Sequence, residues 1–252
     1  MKKTITILLS LAVIWGIFTG VEYILVKIRF TPVAYVPPSK ISSVFPAYSG
    51  KNLLHRVNTQ QLMAKKIPAY DGAELDVYYK GKRYFAAHDE KDVGRESVKE
   101  VLSAAPQLSD KYFWIDLKSP FESLENARNL KKVFEEVGIL LDKVIVETDS
   151  PSAASLSVEA GFLTALQGHG FDRKYDIEEL KENLERTEWE VTASGVQALS
   201  CSLTNYPFLR SYFPQMPKIV YYTNNSNPIS LKRYFVKKEL QKDPMVKMIL
   251  MD

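Results

Sequence analysis

Cysteine is almost absent. Cys201 stands alone among 252 residues, which excludes an internal disulfide and a thiolate-built metal centre. Surplus charge is absent as well once the first 30 residues are set aside. Those hold four Lys or Arg and one Glu, a net of +3, and the 33 basic and 30 acidic residues of the whole chain give the same +3. The rest of the chain is therefore neutral, so the basic pI belongs to the N-terminal segment and gives no support to nucleic-acid binding. Histidine is scarce too: there are three, and two of them, His55 and His88, fall in the single stretch from 55 to 89.

The one long apolar run follows Lys2 and Lys3. It extends from Ile5 to Val26, broken only by small or hydroxylic residues and Glu22, and at about 20 residues is long enough to cross a bilayer as a helix. A cleaved signal peptide opens in the same way. Thr19-Gly20-Val21 is a poor cleavage site, which favours an uncleaved anchor. Basic residues at both ends, including Lys27 and Arg29, leave the orientation open. The expectation is a domain held outside the cytoplasm, on the periplasmic side of a bacterial inner membrane, or secreted if the segment is removed. Residues 31–50 contain four prolines and four serines. They read as an extended linker, part of which could instead pack on the outside of the domain through its Val, Phe and Tyr residues. The expected division is thus 1–30 anchor or signal, 31–50 linker and 51–252 domain.

The domain is organised around its first 40 residues. Leu53-Leu54 reads as the end of a buried strand, so His55 and Arg56 fall where strand gives way to loop. In Glu74-Leu75-Asp76-Val77-Tyr78, a period of two puts both carboxylates on one face. Two such carboxylates repel unless a cation lies between them, and a hard divalent ion with oxygen ligands, Mg²⁺ or Ca²⁺, suits them. A turn at Lys80-Gly81-Lys82 and the short strand Tyr84–Ala87 return His88-Asp89 to the same end. Imidazoles, with unperturbed pKa values near neutrality, are suited to general acid and base work there.

This pattern resembles the glycerophosphodiester phosphodiesterase family and its wider superfamily of barrel phosphodiesterases. The family carries His-Arg after its first strand, Glu-x-Asp on the second and His-Asp after a hairpin. Trp114-Ile115-Asp116-Leu117-Lys118 is similar to its third strand, Val220 to Asn224 to its seventh, and Asp243 to Asp252 to its eighth, so the resemblance covers residues 52–252. It implies a metal held by Glu74, Asp76 and Asp116, catalysis by His55 and His88, and substrate contacts from Arg56, Lys118 and Tyr222. The departures are specific. The glycine after His-Arg is Val57, the loop that follows is shortened to Asn58-Thr59 without its glutamate, and the third-strand glutamate is Asp116. His55-Arg56-Val57-Asn58, followed by a Leu-containing helix, also resembles the menorin-type branch of the superfamily.

Further along, apolar runs at 111–117, 143–147, 161–165, 196–202, 218–222 and 247–251 read as strands, separated by helical patterns such as 123–137 and 176–187. With the strands at Leu53 and Glu74 this makes eight, alternating with helices, and predicts a (β/α)8 barrel. Asp116 and Lys118 share a face by alternation, and chemistry in such barrels sits at the C-terminal strand ends. Glu147, His169 and Asn224 lie at strand ends as weaker candidates. The expected activity is metal-dependent phosphodiester hydrolysis of glycerophosphodiesters or lysophospholipid-type headgroups, with the nucleophile and the division of acid and base roles left open. The competing expectation is a membrane-anchored barrel that binds metal or anions without turnover.

Overall fold

The computed structural model describes residues 2–31, 37–168, 176–222 and 231–251. Helix α1 (Lys2–Arg29) precedes the barrel. The order after it is β1 (Lys51–Leu54), α2 (Gln60–Lys66), β2 (Gly72–Lys80), β3 (Arg83–Ala86), α3 (Val98–Ser103), β4 (Tyr112–Leu117), α4 (Leu124–Glu136), β5 (Val144–Thr148) and α5 (Pro151–Glu159). It continues with β6 (Leu163–Gln167), α6 (Ile177–Ser194), β7 (Ala198–Ser202), α7 (Tyr206–Tyr212), β8 (Lys218–Tyr222), α8 (Leu231–Gln241) and β9 (Val246–Met251).

Every strand except β3 pairs in parallel with its neighbours, and β1 bonds to both β2 and β9, which closes the sheet. The fold is an eight-stranded (β/α)8 barrel. β3 lies outside it, antiparallel to the distal half of β2 from Val77 to Lys80. Alternation along each strand divides the core in two. Leu53, Trp114, Ile145, Ala165, Ala198, Ile219, Met248 and Leu250 point inward and fill the lower barrel. Their neighbours in sequence point outward to the helices, where Leu75, Phe113, Ile115, Val144 and Val146 meet Leu130 and Phe134 of α4. Gly72 is required at the barrel's tight closure, because a Cβ there would lie 1.8 Å from the Tyr112 carbonyl oxygen.

The helices start where their caps place them. Thr59 accepts from Leu62 N at the head of α2, and Ser123 accepts from Asn126 N at the head of α4. Capping boxes of Ser97 with Glu100 and Asp176 with Glu179 open α3 and α6. The described part of the Pro/Ser-rich segment is packed. Ser39 N donates to Tyr212 O at 2.7 Å, Ser43 Oγ to Gln197 O at 2.5 Å, and Gly50 N to Val246 O at 2.9 Å. Phe45 and Tyr48 close the barrel's lower end, with the Tyr48 ring 4.7 Å from that of Tyr112. Aromatic burial is what turns this stretch from spacer to plug.

α1 is apolar over Ser10–Arg29 with a mean hydropathy of 1.8, and 6% of that window is buried. It is long enough to cross a membrane, as an anchor or as a signal sequence.

Candidate active site

Ionisable side chains replace apolar ones at the inward positions at or just beyond the C-terminal ends of β1, β2, β4 and β5. Glu74 and Asp76 on β2 and Asp116 on β4 offer carboxylate oxygens that all lie within 4.8 Å of one another. Register explains this convergence, because Asp76 pairs with Asp116, which pairs with Glu147 on β5. Glu74 and Asp76 are almost fully buried, at 2% and 1% exposure. Buried like charges at this spacing are costly without a compensating cation.

The surrounding groups compensate in part. Arg56 N donates to Glu74 Oε2 at 2.5 Å, from a backbone in the left-handed region at φ 54°. Asn58 makes a reciprocal pair with Asp76, its Nδ2 donating to Oδ2 at 2.7 Å and its Oδ1 accepting from Asp76 N at 2.9 Å. Lys118 Nζ reaches Asp76 Oδ1 at 2.9 Å and also contacts Asp116. His88 Nδ1 lies 3.1 Å from Asp76 Oδ1.

The protonation of these groups follows from their neighbours. Burial, then the charge of Asp76, holds the Glu74 carboxyl well above its ordinary pKa. Burial also raises Asp116. Burial works against Asp76 too, but hydrogen bonds from Asn58 and Lys118 outweigh it and leave its pKa lowered. Lys118 is held charged, since Asp116 and Asp76 outweigh the effect of its burial. With all three carboxylates ionised and Lys118 charged, the cluster carries a net charge of about −2, which a divalent ion would neutralise.

One floor lower, Glu147 receives a hydrogen bond from Trp114 Nε1 at 2.5 Å and another from Ser200 Oγ. Burial pushes its carboxyl up to about 8. A carboxyl raised in the folded state contributes stability that is present at low pH and lost as pH rises through the folded value. Glu147→Gln keeps an acceptor for Trp114 and an amide for Ser200. In chelator it is expected to match the wild type at pH 5 and to exceed it by up to about 4 kcal/mol at pH 8–9. Thermal unfolding across pH checks this, and parallel curves for the two proteins would refute it.

A cavity of about 470 Å³ opens above the cluster, lined by His55, Arg56, Glu74, Asp116, Lys118, Glu147, Gln167 and Tyr221 among others. Sequence comparison is silent about it: no family model matches the chain, and no curated protein matches it. Solved structures do match. The chain is similar to a glycerophosphodiester phosphodiesterase from Parabacteroides distasonis, with a TM-score of 0.54 and 13% identity over 81% of this chain and 94% of that one. It is similar to a putative glycerophosphoryl diester phosphodiesterase from Agrobacterium tumefaciens, with a TM-score of 0.56 and 10% identity over 80% and 92%. A phosphonopyruvate hydrolase in complex with oxalate and Mg²⁺ also matches, with a TM-score of 0.51 and 9% identity over 79% and 74%. The likeness establishes the fold.

The structure brings most of the sequence-derived residues together. Glu74, Asp76 and Asp116 form the cluster, His88 and Lys118 contact it, and His55 and Arg56 line the same cavity. Tyr222 is placed elsewhere, among the outward-packed side chains with Leu203 and Val236. Alternation puts Tyr221, one residue earlier, into the cavity. His169 and Asn224 lie outside the described residues. Val57 does not have positive φ and is fully buried, so the site has no need of the family's glycine at that position. Asn58, which in the sequence marks only the shortened loop and the resemblance to the menorin-type branch, is a direct partner of Asp76. The signal for it was weak, because nothing about Asn after a strand predicts a bond 18 residues away. Trp114 and Ser200 likewise carry no signal in the sequence beyond that of strand residues.

Proposed function

We propose that the protein is a metal-dependent phosphodiester hydrolase acting at the barrel mouth. The observation that carries this is the Glu74, Asp76 and Asp116 cluster with His88 on one of its carboxylates and His55 lining the cavity above it. The donor set fits a hard cation: three carboxylates, clustered and mostly buried, with more negative charge than Lys118 alone balances. Such an ion, when bound, supplies charge neutralisation at a phosphate oxygen.

The remaining chemistry belongs to the side chains. The attacking hydroxyl, from water or from the substrate itself, loses its proton to one imidazole as its oxygen bonds phosphorus. The opposite P–O bond breaks, and the leaving alcohol takes a proton from the other imidazole. Asp76 fixes the ring of His88 through Nδ1, which leaves Nε2 for proton transfer. Lys118 and Arg56 supply positive charge against the phosphate. Tyr221 and Gln167 shape the far wall.

The test is hydrolysis of bis(p-nitrophenyl) phosphate and glycerophosphocholine by the full chain in detergent, with Mg²⁺, Ca²⁺ or chelator. Turnover that requires cation is expected. The shortened loop after His55-Arg56, which lacks a glutamate and carries Val57 in place of glycine, favours a second reading in which the barrel binds ions without turnover. Tight cation binding with no hydrolysis of either diester would select it.

A further inference from the structure

Helix α6 turns an acidic face to solvent, and that face carries a large exposed ring. Its 18 residues hold six glutamates against one lysine and one arginine. Glu178, Glu182, Glu185 and Trp189 follow one another at steps of four, three and four, which aligns them along one side of the helix, and all four are exposed. Leu180, Leu184 and Val191 on the other side carry the packing onto the barrel, so the fold has no need of Trp189. Its side chain is 68% exposed, more than the 62% of Trp15 in the apolar helix α1. An indole left in water beside carboxylates suits a contact surface, where tryptophan is among the side chains that carry the most binding energy.

A surface that covers this face must be basic and partly apolar. The same chain carries one. A hollow of about 520 Å³ lies between β3, α3 and α4, lined by Tyr84, Phe85 and Val133 and by four exposed cations, Lys82, Arg83, Arg95 and Lys99. Arg95 pairs with Asp92 at 3.0 Å and Lys99 with Glu136 at 2.8 Å, but exposed pairs of this kind hold weakly. Glu100, the carboxylate lining the hollow, is engaged by the cap of α3, where it accepts from Ser97 N at 2.8 Å and Ser97 Oγ at 2.7 Å. One molecule cannot join its own two surfaces, because α5 lies between α4 and α6 around the barrel.

We propose that copies of this chain associate head to tail, with Trp189 and the glutamates of α6 from one copy seated in the basic hollow of the next. The charges are opposite in sign, and the indole meets Phe85, Val133 and the guanidinium groups of Arg83 and Arg95, which favour aromatic faces. The two patches are different, so the contact adds a further copy at each end instead of stopping at two. This association is independent of the hydrolase reading.

The experiment is sedimentation of the full chain in detergent over a range of protein concentrations. The mass of the wild type is expected to rise with concentration and to fall back as salt is added. Trp189→Ala should weaken the association about 30-fold. Glu182→Lys with Glu185→Lys should abolish it, and so should Lys82→Glu with Arg83→Glu. All four changes in one chain should restore it, because the signs are exchanged together. Each of these positions is exposed, so the variants are expected to fold, and an unchanged Tm checks that. A wild type that stays monomeric at every concentration would overturn the proposal. So would an association indifferent to Trp189→Ala, which would place the contact on another surface such as α1, or reversed charges that fail to restore it when combined.

Discussion

Glu74→Gln is expected to abolish both cation-dependent turnover and cation-dependent stabilisation, while leaving the protein as stable as the wild type in chelator, or more so. Both effects come from the same crowding. Burial and the nearby Asp76 charge hold the Glu74 carboxyl well above its ordinary pKa, so without a cation the fold gains little from its ionisation and Gln is a close stand-in for the protonated acid. With a cation, ionised Glu74 is one of three carboxylates within 4.8 Å, and Gln removes a full charge from that set. At a cation concentration 100-fold above Kd, the wild type should gain about 2.7 kcal/mol, or roughly 5–10 °C in Tm for a domain of this size. Glu74→Gln should gain almost nothing.

The pH dependence has a definite sign. A raised carboxyl means that the proton competes with the cation, so wild-type affinity should rise with pH and binding should release protons. In chelator the Glu74 contribution to stability should be present at low pH and fade as pH rises through its raised value. Differential scanning fluorimetry with Mg²⁺, Ca²⁺ and EDTA reads all of this. A Glu74→Gln protein that keeps the wild-type cation shift would show that the cluster is not the cation site.

What the sequence made legible was whatever depends on alternation. Glu74 with Asp76 and Asp116 with Lys118 are each two residues apart, and a strand's period of two commits each pair to one face before any fold is known. Once β2 and β4 pair in parallel at Asp76 and Asp116, the cluster follows. The eight strands were legible for the same reason, as short apolar runs between capped helices. What stayed hidden depends on parity at a single position or on loop backbone. The Tyr221-Tyr222 pair gives no internal clue to which ring faces inward; the register of β8 against β7 and β9 decides it. Arg56 adopts a left-handed backbone that aims its amide at Glu74, and Asn58 folds back on Asp76, which no periodicity encodes. The plug at the barrel base is not legible: the aromatic residues of the Pro-rich segment suggest packing on the outside of the domain, and their actual partners, Tyr112 and Gln197, are distant in sequence.

His88→Ala and His55→Ala are each expected to lower kcat by about 10²–10⁴-fold, the usual span for removing a general acid or base, while keeping the cation-induced rise in Tm. That separation follows from where the two rings stand. Neither is among the three carboxylates that would hold the ion. His88 touches the cluster through Nδ1 on Asp76 and has a side chain 40% exposed to solvent, so its other nitrogen is open to a substrate bound at the cluster. His55 follows β1 with the inward parity of Leu53 and lines the cavity beside Glu74. The two act at different stages of one displacement, so each substitution should erase one limb of a bell-shaped pH profile of kcat/KM and leave the other. A diester with a p-nitrophenol leaving group distinguishes them further. That group departs without a proton, so the variant lacking the general acid should recover most of its rate on it, and the variant lacking the base should not. Equal losses on both diesters in both variants, with the bell intact, would assign the rings to positioning and leave proton transfer to other groups.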